Sequence, residues 1–217
     1  TFIGHMIDAP DREDVRFSLS MEQDVRTAIR SHILSLEIQV GYCSIACGAD
    51  ILFIEEMLSL DRSVEIFLPF DKDDFVQTSV AFAGDGWVNR FEAILDKVQK
   101  INYLYEAPYS GDNYQFHLLS ELLAGASILK AKLFDSKPIL LAAISEFSLE
   151  QKTGGVRDFI SFWPDKENIH RINIDNFKGS DSSFKLPTYN LLRPINDSGR
   201  EINALSFVLT MESKHNF

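Results

Sequence analysis

Cysteine is nearly absent: the 217 residues hold two, Cys43 and Cys47, and neither has the His or Cys neighbours that a zinc site needs. A pair this small reads as reduced and structural. No run approaches the ~18 consecutive apolar residues of a membrane span, and no signal-peptide pattern opens the chain, so the expectation is a cytoplasmic protein without a membrane partner. Positive charge is scarce as well. Twenty-one Lys and Arg face 32 Asp and Glu, a formal charge of -11, and no basic run offsets the repulsion from a nucleic-acid backbone. DNA and RNA are therefore excluded as expected partners. The Gly-x-Ser-x-Gly elbow, the Walker A lysine loop and the Gly-x-Gly-x-x-Gly fingerprint are all missing, which disfavours common hydrolases, P-loop NTPases and dinucleotide dehydrogenases. No two of the five histidines have metal-ligand spacing, and no metal or resident cofactor is expected.

What is present is a well-stocked core. The chain is 45% apolar and 24% charged with 17 Phe, as in an ordinary globular domain. Short β-branched runs alternate with segments of helical period, which predicts an α/β fold: a Rossmann-like three-layer α/β/α arrangement with a mostly parallel central sheet of about six or seven strands. Strands are expected at Phe2–Gly4, Ile38–Tyr42, Val64–Pro69, Ile101–Leu104, Pro138–Ile144 and Ile169–Ile174, with a further strand-like run at Ala204–Leu209. Pro138–Ile144 is almost wholly apolar and reads as a central strand covered on both faces. Helices are expected from about Ser20, with Ser20 as cap and Gln23 in the capping-box position, then over Ala49–Leu60, Trp87–Val98, Asn113–Leu133 and from Thr153 to Phe162. Phe70–Gly86 reads as a long acidic loop or flap, and its Asp71–Asp74 cluster as a solvated face. Residues 1–176 form the expected domain. Residues 177–217 are a polar, turn-rich extension, one extra strand or the start of a following domain. Because the chain starts at Thr1, almost inside its first strand, it reads as an excised piece of a longer protein.

In an open parallel sheet, ligands collect where strand ends meet helix N-termini, whose amides and dipole favour anions. Three turns fit. Gly4 and His5 follow the first strand. Ser44, Cys47, Gly48, Ala49 and Asp50 lie in a run of small residues leading into the second helix. Thr153, Gly154 and Gly155, with Arg157 and Asp158 one turn further, open a later helix. The expected ligand is small, phosphorylated and of nucleotide type. Gly48 has an equally good structural reading, as a residue that lets helix and strand pack closely, and Asp50 as a first-turn carboxylate favoured by the helix dipole.

Three blocks carry a resemblance. Phe2-Ile3-Gly4-His5, then Ser44-Ile45-Ala46-Cys47-Gly48-Ala49-Asp50, then Phe67-Leu68-Pro69-Phe70, together with Gly154-Gly155 and Asp158, resemble the SLOG (SMF/DprA-LOG) superfamily over roughly Phe2–Asp175. The resemblance implies a Rossmann-like domain that recognises a nucleotide or nucleotide-derived ligand, often as a sensor attached to an effector domain; the expected partner beside the ligand is a fused effector domain or a second copy in a homo-oligomer. Some relatives instead cleave a nucleotide N-glycosidic bond through Pro-Gly-Gly-x-Gly-Thr-x-x-Glu. Thr153-Gly154-Gly155-Val156-Arg157-Asp158 lacks the third glycine, the following threonine and the glutamate, so sensing is the expected function. The alternatives are cleavage of a nucleotide or NAD-like N-glycosidic bond, with Asp158 or a loop carboxylate as acid/base, and an interaction domain that has lost its ligand. Arg200–Phe207 is similar to the opening strand of class III nucleotide cyclase domains, yet Val208-Leu209-Thr210 lacks their metal-binding Asp.

Overall fold

A computed structural model describes residues 1–10, 12–98, 101–146 and 153–179, all within the compact unit Thr1–Asp181. The expected strand at Ala204–Leu209 lies outside the described residues. Those residues form six strands and six α-helices, and every ladder pairing is parallel.

The strands are β1 (Phe2–Gly4), β2 (Val40–Cys43), β3 (Ser63–Leu68), β4 (Ile101–Tyr103), β5 (Leu140–Ile144) and β6 (Ile169–Asn173). The helices are α1 (Glu22–Ser35), α2 (Ala49–Ser59), α3 (Lys72–Ser79), α4 (Asp85–Leu95), α5 (Tyr114–Leu133) and α6 (Val156–Phe162). A parallel α/β architecture is thus present, but the expected single sheet is not. The strands divide into two three-stranded sheets, β1-β5-β6 and β2-β3-β4. Just beyond β1 the chain finds other partners. His5 N–H still bonds Ala143 O, after which Ile7 N–H bonds Cys47 O at 3.2 Å and His5 O accepts from Ala49 N–H at 3.1 Å. An isolated Met6–Gly48 bridge marks the same crossing. The chain leaving β1 therefore pairs with the turn that opens α2, and no ladder joins β1 to β2.

β5 is the middle strand of its sheet, flanked by β1 in the register Phe2–Leu141 and by β6 in the register Leu140–Ile169. All five of its residues are buried, which is why its sequence is a continuous apolar run rather than an alternating one. Alternate strand residues feed two apolar clusters. Phe2, Cys43, Ile66, Leu68, Leu141 and Ala143 join side chains of α1, α2 and α4. Ile3, Tyr42, Phe67, Leu140, Ala142 and Ile144 meet α5 and α6. Phe2 stacks on Phe53 at 4.3 Å and 5°, a pairing worth ~0.5–1.5 kcal/mol beyond the burial of its area.

Two local expectations are corrected. The acidic stretch after β3 is not a loop. Asp71 caps α3, its carboxylate accepting from the amides of Asp73 and Asp74, and Phe75 and Ser79 are buried on the inner face. Acidic side chains at a helix start are favoured by the dipole, so the charges that suggest a loop stabilise this helix instead. At α1, Ser20 caps nothing: Leu19–Met21 is a 3₁₀ turn and Ser20 Oγ lies 2.9 Å from Ser18 Oγ. Among the described residues no helix is long and apolar enough to cross a membrane.

Candidate functional site

The turns after β1 and β2 and the turn before α6 converge. Gly4, His5, Ser44, Asp50, Thr153, Gly154 and Gly155 line one hollow of about 390 Å³, a size suited to a small-molecule ligand. Cys47, Gly48, Ala49 and Asp158 do not line it, and each has a role behind the wall.

Gly48 adopts φ +102°, and a Cβ there would lie 2.5 Å from Ile7 N and 2.9 Å from His5 O. No other residue permits this approach of the β1 exit to the start of α2. Two amides of the turn are engaged inside the protein, Cys47 N–H with Ser79 O and Ala49 N–H with His5 O. Neither of these two amides is open to an anion, small as the neighbouring side chains are. Cys43 and Cys47 are free, buried thiols. Burial pushes Cys47 up to about 12 and Cys43 well above its ordinary value, so both stay protonated and unreactive at neutral pH.

Asp50 is the ionisable member of this turn that reaches the hollow. It is only 8% exposed. Burial pushes its carboxyl up to about 7, against the pull of the Ala46 amide that donates to Oδ2 at 3.3 Å. Ser44 Oγ, also at the wall, is buried and bonds no other group among the described residues.

At the third turn, Gly154 takes φ +75°, with its Cα so close to α5 that a Cβ would sit 2.6 Å from Phe116 Cβ. Its amide donates to Asp158 Oδ2 at 2.8 Å, and the same oxygen lies 2.6 Å from His117 Nδ1. Burial alone would raise the Asp158 carboxyl, but the Gly154 amide and His117 outweigh it and hold it below its ordinary value. Asp158 is thus an anchor that fixes the glycine turn against α5.

Arg157 apart, the rest of the wall was not legible as a site. Arg16 comes from the long connection after β1, where Asp8 accepts the Arg16 and Phe17 amides at 2.8 and 2.7 Å and stands 3.7 Å from the Arg16 guanidinium. Arg157 reaches Glu146 O at 2.8 Å. Both arginines line the hollow, the Arg16 guanidinium beside the Asp8 carboxylate. Phe75, Thr78 and Ser79 come from α3, and Tyr109, Asn113, Phe116 and Ser120 from α5 and the loop before it. That loop is fixed by buried Gln115, which accepts from Ser110 N and Oγ, and by Asp74, which accepts from Tyr109 N. Tyr109 and Phe116 pack on Phe70 at 4.8 and 5.4 Å, so the aromatic side of the wall is braced from behind. A Tyr in a polar loop and a Phe in the first turn of α5 give no signal in sequence that marks them as a site.

Compared with known proteins, the chain matches no family model, no curated protein and no solved structure.

Proposed function

We propose that the chain is a nucleotide-sensing module of SLOG type, a Rossmann-like domain that binds a phosphate-bearing, nucleotide-derived ligand without turning it over. One observation carries the reading: the strand-end turns of β1 and β2 and the Gly154-Gly155 turn open onto a single hollow that also receives Arg16 and Arg157. The mix of aromatic side chains, hydroxyls and guanidinium groups suits a ligand with an apolar ring, sugar hydroxyls and negative charge. Anion recognition on this reading rests on the arginines and on amides other than those of Cys47, Ala49 and Gly154.

Thermal unfolding across a panel of mononucleotides, dinucleotides and cyclic oligonucleotides is the test. A ligand at 100 times its Kd adds ~2.7 kcal/mol of stability, on the order of 5–10 °C for a domain of this size. No shift with any member of the panel overturns the proposal.

A second reading, cleavage of a nucleotide N-glycosidic bond, is favoured by Asp50 rather than Asp158. A carboxyl titrating near 7 inside a ligand-sized hollow is suited to general acid catalysis. Free base released from the same panel, separated by chromatography and lost in Asp50→Asn, would establish it in place of sensing.

A further inference from the structure

The inner face of α5 is buried through Leu119, Leu123, Ala124, Ser127 and Ala131. Its outer face is also apolar. Leu122, Leu129 and Leu133 are 38%, 62% and 73% exposed, and with half-buried Leu118 and exposed Gly125 they recur at the spacing of one helical stripe. Gly125 has open space around its Cβ position, so nothing among the described residues requires a glycine, although glycine in a helix interior costs ~0.5–1 kcal/mol relative to alanine. A glycine there leaves room for the backbone of a second helix to come close.

The stripe is its own mirror image in sequence. Counted outward from the Gly125–Ala126 bond, Leu122 answers Leu129 and Leu118 answers Leu133. Glu121 and Lys132, both exposed, lie on the same edge of the stripe with opposite charge, Lys132 two residues beyond the mirror position of Glu121; Glu121 approaches His117 Nε2 at 3.6 Å. Two such helices laid antiparallel about a two-fold axis bring Leu onto Leu, glycine to the crossing point, and Glu121 of each copy beside Lys132 of the other. That is the self-complementarity an isologous interface requires.

We propose that the outer face of α5 is the contact surface of an antiparallel homodimer of this chain. The same helix lines the ligand hollow with Phe116, Leu119, Ser120 and Leu123, so the interface stands directly behind the proposed site, but the dimer does not depend on what that site binds.

Sedimentation velocity on the 217-residue chain should give a species of twice 24.6 kDa, and Leu129→Glu should give a monomer with an unchanged circular dichroism spectrum. Glu121→Lys should weaken the dimer by about fivefold in Kd, and adding Lys132→Glu should restore it. Oxidised Gly125→Cys should cross-link to itself at the crossing point, whereas Leu118→Cys should cross-link to a Leu133→Cys copy and not to itself. A wild-type monomer at all concentrations overturns the proposal, including one in which another segment of the same chain covers the face. So does a dimer that survives Leu129→Glu, or a charge swap without rescue.

Discussion

Replacing Asp50 by Asn should stabilise the protein above neutral pH and leave it unchanged in acid. The carboxyl is buried at the wall of the hollow and titrates near 7 instead of at its ordinary 3.8. At 1.36 kcal/mol per pH unit, this corresponds to ~4 kcal/mol of penalty for the ionised form. The folded state holds the proton more tightly than the unfolded chain, so the favourable contribution is complete below pH 3.8, declines as the pH rises, and is gone above about 7. Asparagine keeps the shape and an oxygen for the Ala46 amide without the charge. Urea or thermal unfolding of both proteins from pH 4 to 8.5 should therefore give curves that coincide at the acidic end and separate by up to ~4 kcal/mol at the alkaline end, on the order of 10 °C. Coincident curves throughout, or an Asn variant weaker at pH 8, would refute the burial argument.

Gly48→Ala forces a Cβ to within 2.5 Å of Ile7 N at φ +102°; strain of ~1–3 kcal/mol plus the clash should lower Tm by about 10 °C, measured by calorimetry. Arg90 bonds Glu55 at 2.8 and 2.7 Å and Glu22 at 2.9 Å while lying 4.0 Å over Trp87. Arg90→Ala should cost ~1–3 kcal/mol in chemical denaturation, with a smaller loss at high salt. Asp158→Asn should destabilise at pH 7 by loosening the Gly154 turn. Because the Asp158 carboxyl is held below its ordinary value, its contribution is present above pH 3.8 and lost as the pH falls through the folded-state value, so the two proteins should converge in strong acid. Equal stability of the pair at pH 7 would show that the turn does not depend on this anchor.

Much of the architecture was written in local pattern. The unbroken apolar run at Pro138–Ile144 identified a strand covered on both faces, and β5 is the middle strand of its sheet. The periodic helices were legible within a few residues, because one buried stripe per helix survives any surface composition. α3 was missed because its first turn is acidic, and only Phe75 and Ser79 mark its inner face. The division of the sheet was illegible for a different reason: strand pairing is set by contacts distant in sequence, of the kind in which Met6 meets Gly48 across more than forty residues. The same contact turns Gly48 from a candidate ligand contact into a packing residue. At the site, glycine turns could be read, since they punctuate strand ends. Arg16 and Tyr109 could not, because irregular connections bring them in, and Phe116, on the legible helix α5, carries no mark that separates it from a core residue.

The most direct test of the central claim is a ¹H–¹⁵N correlation titration of the labelled chain with the nucleotide panel, following backbone amides. A saturable ligand should shift chiefly Gly4, His5, Ser44, Asp50 and Thr153–Gly155, the residues that share the hollow. A titration in which no member of the panel moves these amides, or in which a tight ligand moves only amides remote from them, would contradict it.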